Sequence, residues 1–126
     1  MALLLAQVPA FGAANLDLDA NNLVQLVSST SQYARVTGIV NNIDVSDKFN
    51  VILLNFGKSY NTSLSAVIHN DAIPAFVTAG ISEPAEYFKD KAVVLEGIIR
   101  ILNGKPEIVI DSPSQIKIVD LKKSKK

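Results

Sequence analysis

From Tyr33 onward the chain alternates with a period of two. Val36 and Val40 fall on one side of an extended segment and Arg35 and Thr37 on the other, which predicts a strand over 33–40. Gly38 sits inside it, and a glycine within a strand marks a bulge or sharp bend. Small barrels need such a bend where one strand serves both halves of the sheet. Polar Asn41 to Asn50 predicts a turn region, Val51 to Phe56 a second strand, and Gly57 to Ser63 another turn. Leu64 to His69 predicts a third strand, with Leu64, Ala66 and Ile68 on one face. A helix follows, with Asp71 as its cap, Pro74 in the tolerated first turn, Ile73, Phe76 and Val77 as its apolar stripe, and Gly80 as its stop. Ser82 to Phe88 reads as a second short turn.

In the fourth strand Val93, Leu95, Gly97, Ile99 and Ile101 align. A four-residue turn, Asn103-Gly104-Lys105-Pro106, then leads to a short strand and a Ser-Pro-punctuated segment ending near Val119. Upstream, Asp19 is a good N-cap, and Ala20, Leu23, Val24 and Val27 have the i, i+3, i+4, i+7 spacing of a short amphipathic helix closed by Ser28 to Gln32. Three strands, a helix and two strands predict an all-β fold with minor α: a five-stranded barrel, a helix between its third and fourth strands, and a short N-terminal helix. The expected organisation is an apolar N-terminal extension over 1–18, one barrel domain over 19–121, and a basic tail over 122–126.

Composition narrows the picture. A chain of 126 residues has room for one core, and a hydrophobic fraction of 48% fits neither disorder nor a charged solenoid. With no cysteine there is neither a disulfide framework nor a thiolate metal site. Net charge is zero, but four of the twelve basic residues are Lys122, Lys123, Lys125 and Lys126, which leaves eight basic against twelve acidic residues upstream. Such a body lacks the bulk positive field of a strong non-specific nucleic-acid binder, so any binding of that kind needs a local patch. The tail either reaches a phosphate backbone or simply solvates the terminus.

Met1 to Ala14 begins apolar and ends small, with Gly12 and Ala14 at the spacing of a signal-peptidase site. The apolar run is short and no Lys or Arg precedes it, so a secretory signal lacking its basic start and a plain apolar extension both stay open. Export is favoured over a cytoplasmic location on this ground. No stretch approaches the roughly 18 apolar residues of a membrane span.

Catalytic chemistry has no visible home. The single His69 alternates away from Leu64, Ala66 and Ile68 and reads as an exposed sheet residue. The Ser/Thr-rich turns carry no His or carboxylate at an activating spacing. Glu96, Glu107, Asp111 and Asp120 are scattered along strands rather than paired. Asp44 and Asp47 form at most one corner of a calcium site, which needs six or more oxygens. The expectation is therefore no enzyme, no cofactor and no metal.

One set of residues carries a family resemblance. Gly38, Leu54-Asn55-Phe56-Gly57 and Leu64-x-Ala66-Val67-Ile68 are followed in order by Tyr87-x-x-x-Lys91-x-Val93-x-Leu95-x-Gly97, Gly104-Lys105-Pro106-Glu107-Ile108 and Ser112-Pro113-Ser114-Gln115-Ile116. Over residues 19–120 this resembles the bacterial OB-fold domains of the nucleic-acid-binding type, often found in exported proteins or beside nuclease modules. Ser28 to Gln32 departs from the pattern, standing where such domains often carry a Gly-Lys turn. The resemblance implies a five-stranded OB-type barrel that binds on the face of its second and third strands, between the loops after strands one and four. Those loops place Lys48, Phe49 and Lys105 at the rims, with Lys58 and Tyr60 in the next turn. Together with Arg35 and Arg100 they could supply the stacking platform and cations that single-stranded nucleic acid requires. A protein partner or another ligand, with no nucleic-acid role, is the alternative.

Overall fold

The computed structural model of the chain describes residue 12, residues 14–57 and residues 63–120. Its elements run β1 (Asp17–Asp19), α1 (Leu23–Ser28), β2 (Tyr33–Ile39), β3 (Asn42–Ser46), β4 (Val51–Asn55), β5 (Ser65–His69), a 3-10 turn (Asn70–Ala72), α2 (Ile73–Thr78), α3 (Pro84–Phe88), β6 (Ala92–Leu102), β7 (Lys105–Val109), a second 3-10 turn (Pro113–Gln115) and β8 (Ile116–Ile118). The chain is mostly β, as expected. Hydrogen-bonded neighbours follow the order β1-β2-β6-β7-β5-β4-β3, with β8 on β6. Parallel pairing joins β1 to β2 and β5 to β7; the remaining pairs are antiparallel.

Eight strands stand where five were expected, and the three additions are short. β3 occupies part of the supposed polar turn: Asn42, Asp44 and Ser46 alternate with Ile43 and Val45, and Ile43 packs on the core. β1 takes up Asp19, a strand residue whose carboxylate accepts the Asn21 N–H at 2.8 Å and does not cap α1. The cap of α1 is Asn22, whose side chain accepts the Gln25 N–H. Leu26 is the buried residue of that helix, whereas Val24 is 78% exposed, so the expected stripe is misplaced. β8 forms where Ser112 caps the preceding 3-10 turn and Gln115 returns a bond to the backbone. Asp71 lies within a 3-10 turn and does not cap α2, which has Pro at its start but no side-chain cap. Val77 is half exposed, leaving Phe76 as the buried residue of α2. Ser82 to Phe88 contains a short helix, α3, rather than a turn alone.

Gly38 neither bulges nor bends the ladder, for it pairs in register with Val93. The constraint there is steric: an added Cβ would lie 2.7 Å from the Ala20 Cβ and 2.9 Å from a Phe56 ring carbon. The change of direction comes two residues later. Val40 N–H bonds to Lys91 O, beside β6, and the next residue, Asn41, bonds to Asn55 O at the end of β4. Adjacent peptide units thus belong to different parts of the sheet. The core gathers Val36, Leu54, Ile68, Leu95, Ile99, Ile108 and Ile110, with Phe76 and Phe88 meeting edge-to-face at 6.2 Å. Ile101, expected to continue the buried row of β6, is 37% exposed because the strand has passed beyond the core.

Candidate binding face

On β4, β5, β6 and β7 the residues turned away from the core build one surface. Register sets Val51 against His69, Leu53 against Val67, and Arg100 against Glu107. These six, with Phe49, Leu102 and Asn103, line a groove of about 370 Å³. Its lining is apolar along the middle and polar at both ends. Phe49 stands on the turn between β3 and β4, 68% exposed, with its N–H donating to Ser46 Oγ at 3.2 Å. The Lys48 ammonium lies 5.4 Å from the Phe49 ring centroid, within cation–π range. At the other end Arg100 donates through Nε and Nη2 to Glu107 Oε1, at 3.2 and 3.0 Å. Glu107 is buried and the Arg100 side chain 44% exposed, so the carboxylate holds a guanidinium whose remaining surface faces outward.

A buried polar row underlies this end of the sheet. Ser65 Oγ donates to Asn55 Oδ1, and Asn55 Nδ2 donates to Asp44 Oδ2 at 3.0 Å. Lys105 Nζ donates to Ser63 O at 3.0 Å. Lys105 is only 2% exposed and is therefore not a rim cation, contrary to expectation. Burial lowers its pKa, and the charges of Glu107 and Asp44 oppose that shift.

Arg35 lies away from the groove. Its guanidinium bonds Asp17 Oδ1 at 2.8 Å, Glu96 Oε2 at 3.0 Å and Ala14 O at 3.2 Å, which leaves it engaged on all three nitrogens. The hydrogen bond to Asp17 is the main cause of its raised pKa. Glu96 is fully buried; its carboxylate also accepts Gly12 N–H at 3.0 and 2.9 Å and Tyr33 OH at 3.2 Å. Burial, followed by the Glu96 charge, raises the Tyr33 pKa. Of the seven residues expected from sequence, Phe49 and Arg100 line the groove, Lys48 lies beside it through the Phe49 ring, and Arg35 and Lys105 are elsewhere. Lys58 and Tyr60 lie outside the described residues. Val51, Leu53, Val67, His69, Leu102, Asn103 and Glu107 complete the lining, and alternation along β4 and β5 carries the sequence signal for the first four.

Among the described residues no three His, Cys, Asp or Glu gather as a metal site, and no helix is long and apolar enough to cross a membrane. No family model and no curated protein matches the chain. Solved structures do. An OBody bound to hen egg-white lysozyme aligns with a TM-score of 0.53 at 17% identity, over 78% of this chain and 91% of that one. The Stn1–Ten1 complex of S. pombe aligns at 0.51 and 15% identity, over 72% and 61% of the two chains. Aspartyl tRNA synthetase from Entamoeba histolytica aligns at 0.51 and 11% identity, over 95% and 28%. The fold is of the OB type. This OB-type chain spans less than two thirds of the S. pombe and E. histolytica chains that it matches.

Proposed function

We propose that this OB-type chain is a non-enzymatic binding module that holds single-stranded nucleic acid, with modest affinity, in the groove between Phe49 and Arg100. The observation that carries the reading is the exposed Phe49 ring, with the Lys48 ammonium beside it and the Arg100 guanidinium at the far end of an apolar floor. One aromatic platform gives a base roughly 1–3 kcal/mol of stacking, and one or two cations add phosphate contacts that salt weakens. A synthetase acting on tRNA is among the structural neighbours, which accords with this reading. The switch of partner at Val40 and Asn41 supports taking β2 and β3 as one bent strand. The sheet then closes as a five-stranded barrel and leaves the groove on its outer face.

Fluorescence polarisation with labelled oligo-dT tests the proposal. Binding at low salt is expected to weaken as salt rises, and Phe49→Ala to cost about 1–3 kcal/mol. Absence of binding at low salt, or binding indifferent to Phe49→Ala, would sink it.

The second reading is a protein- or ligand-interaction module of an exported bacterial protein. The apolar floor of Val51, Leu53, Val67 and Leu102 and the acidic balance of the body favour it. Export rests on the signal-like Met1 to Ala14 alone. A groove that ignores oligo-dT is the outcome this reading expects.

A further inference from the structure

Beyond the bend at Val40 and Asn41, β3 no longer lies beside β6. It pairs with β4 on one side, and among the described residues no backbone group of Asn42–Ser46 bonds to anything on the other. A row of unpaired backbone donors and acceptors is a template for an added strand. Proteins usually blunt such an edge with Lys, Pro or a bulge. Asn-Ile-Asp-Val-Ser carries neither Lys nor Pro, its register with β4 is unbroken, and Val45 is 63% exposed. A second groove, of about 310 Å³, opens beside the edge between the β3–β4 hairpin and the start of α3. Val45, Ile52, Ile73 and Pro84 give it apolar walls, and the exposed carboxylates of Asp47 and Glu83 border it.

We propose that this edge and groove dock an extended segment of another protein in which apolar side chains alternate with Lys or Arg. The alternation follows from strand geometry: successive side chains point to opposite sides, so one set enters the groove while the other meets the rim. Charge selects the occupant. Asp44 on the edge and Asp47 and Glu83 at the groove attract cations and repel an acidic strand. A second copy of the chain is a poor occupant: antiparallel pairing of β3 with itself, centred on Asp44, sets that carboxylate opposite its twin, and like charges directly opposed are destabilising. The surface is distinct from the Phe49–Arg100 groove, although Val51 borders both. It stands whether or not oligo-dT binds.

Panning a phage-displayed library of random peptides against the full chain tests the docking site. Enriched sequences are expected to alternate apolar residues with Lys or Arg, and a synthetic peptide of that sequence to slow amide hydrogen exchange at Asn42–Ser46. The double substitution Asp47→Asn with Glu83→Gln is expected to weaken that peptide by about two- to thirtyfold, the sum of two exposed ion pairs. It should leave the melting temperature and oligo-dT binding unchanged. Enrichment of nothing, of peptides without cations, or of peptides protecting the Phe49–Arg100 groove overturns the proposal, as does an affinity indifferent to the double substitution. Concentration-dependent self-association through β3 would overturn it in favour of a second copy. Exchange at Asn42–Ser46 that rises on deleting residues 121–126 would do so in favour of the chain's own tail.

Discussion

A lysine next to Asn-Gly reads as a solvated turn residue, yet Lys105 is the first residue of β7 and lies under the sheet with its ammonium on Ser63 O. Burial lowers its pKa, so the folded protein gives up this proton earlier than the unfolded chain, which holds it to near the ordinary value of 10.5. Below the folded pKa both states are protonated and the full desolvation cost is present. Between the two values the unfolded chain binds more protons, so stability rises with pH. Urea unfolding of the wild type and of Lys105→Met, compared over an alkaline series below 10.5, should show the wild type gaining relative to the variant. Curves that stay parallel would refute the assignment. Neighbouring Glu107 makes the same point from the other side: alternation placed it on a strand, but only the fold makes it the buried anchor of Arg100.

At the scale of elements, the long strands were legible because their period is carried by many residues: Val36 and Val40, Leu64 and Ile68, Val93, Leu95 and Ile99 are all buried as the alternation requires. Three-residue β1 and β8 have no period to read, and each owes its existence to a partner far along the chain. The six residues of α1 are likewise too few to distinguish a stripe through Leu26 from one through Val24. The β6–β7 hairpin held a stronger signal than the four-residue turn drawn from it. Asn103 and Gly104 both have positive φ, 53° and 78°, as a two-residue type I′ turn demands. Counting back from that turn pairs Leu102 with Lys105 and Arg100 with Glu107, so one polar end of the candidate groove was implicit in two residues. Lys48 and Phe49 were legible because they are adjacent in sequence; Val67 and His69 reach them only through strand pairing. Gly104→Ala is expected to cost roughly 1–2 kcal/mol by forcing a Cβ into a left-handed turn. Chemical denaturation measures it, and a neutral effect would contradict the turn geometry.

Across the whole molecule, Glu96 joins segments that no local pattern connects. The residue whose N–H it accepts, Gly12, lies 84 positions upstream, and Tyr33 and Arg35 come from another strand. Nothing in the neighbourhood of Glu96 on β6 distinguishes it from a solvated strand residue, so its burial was not readable in advance. Glu96→Ala leaves Arg35 with Asp17 and Ala14 O and removes the acceptor of the Gly12 N–H and the Tyr33 hydroxyl. A loss of roughly 1.5–3 kcal/mol, the scale for hydrogen bonds to a charged group, is expected in urea unfolding, with a smaller loss for Glu96→Gln. A change within experimental error for Glu96→Ala would mean that the network does not stabilise the fold.

The pairing of β2 also has a consequence in time. Tyr33–Ile39 bonds to Ala92–Ile98, so during synthesis β2 waits for some sixty further residues before its antiparallel neighbour exists. Closing so long a loop slows folding and leaves strand edges exposed meanwhile. A ribosome-bound fragment ending before Ala92 therefore leaves the Ala92–Ile98 side of Tyr33–Ile39 unpaired.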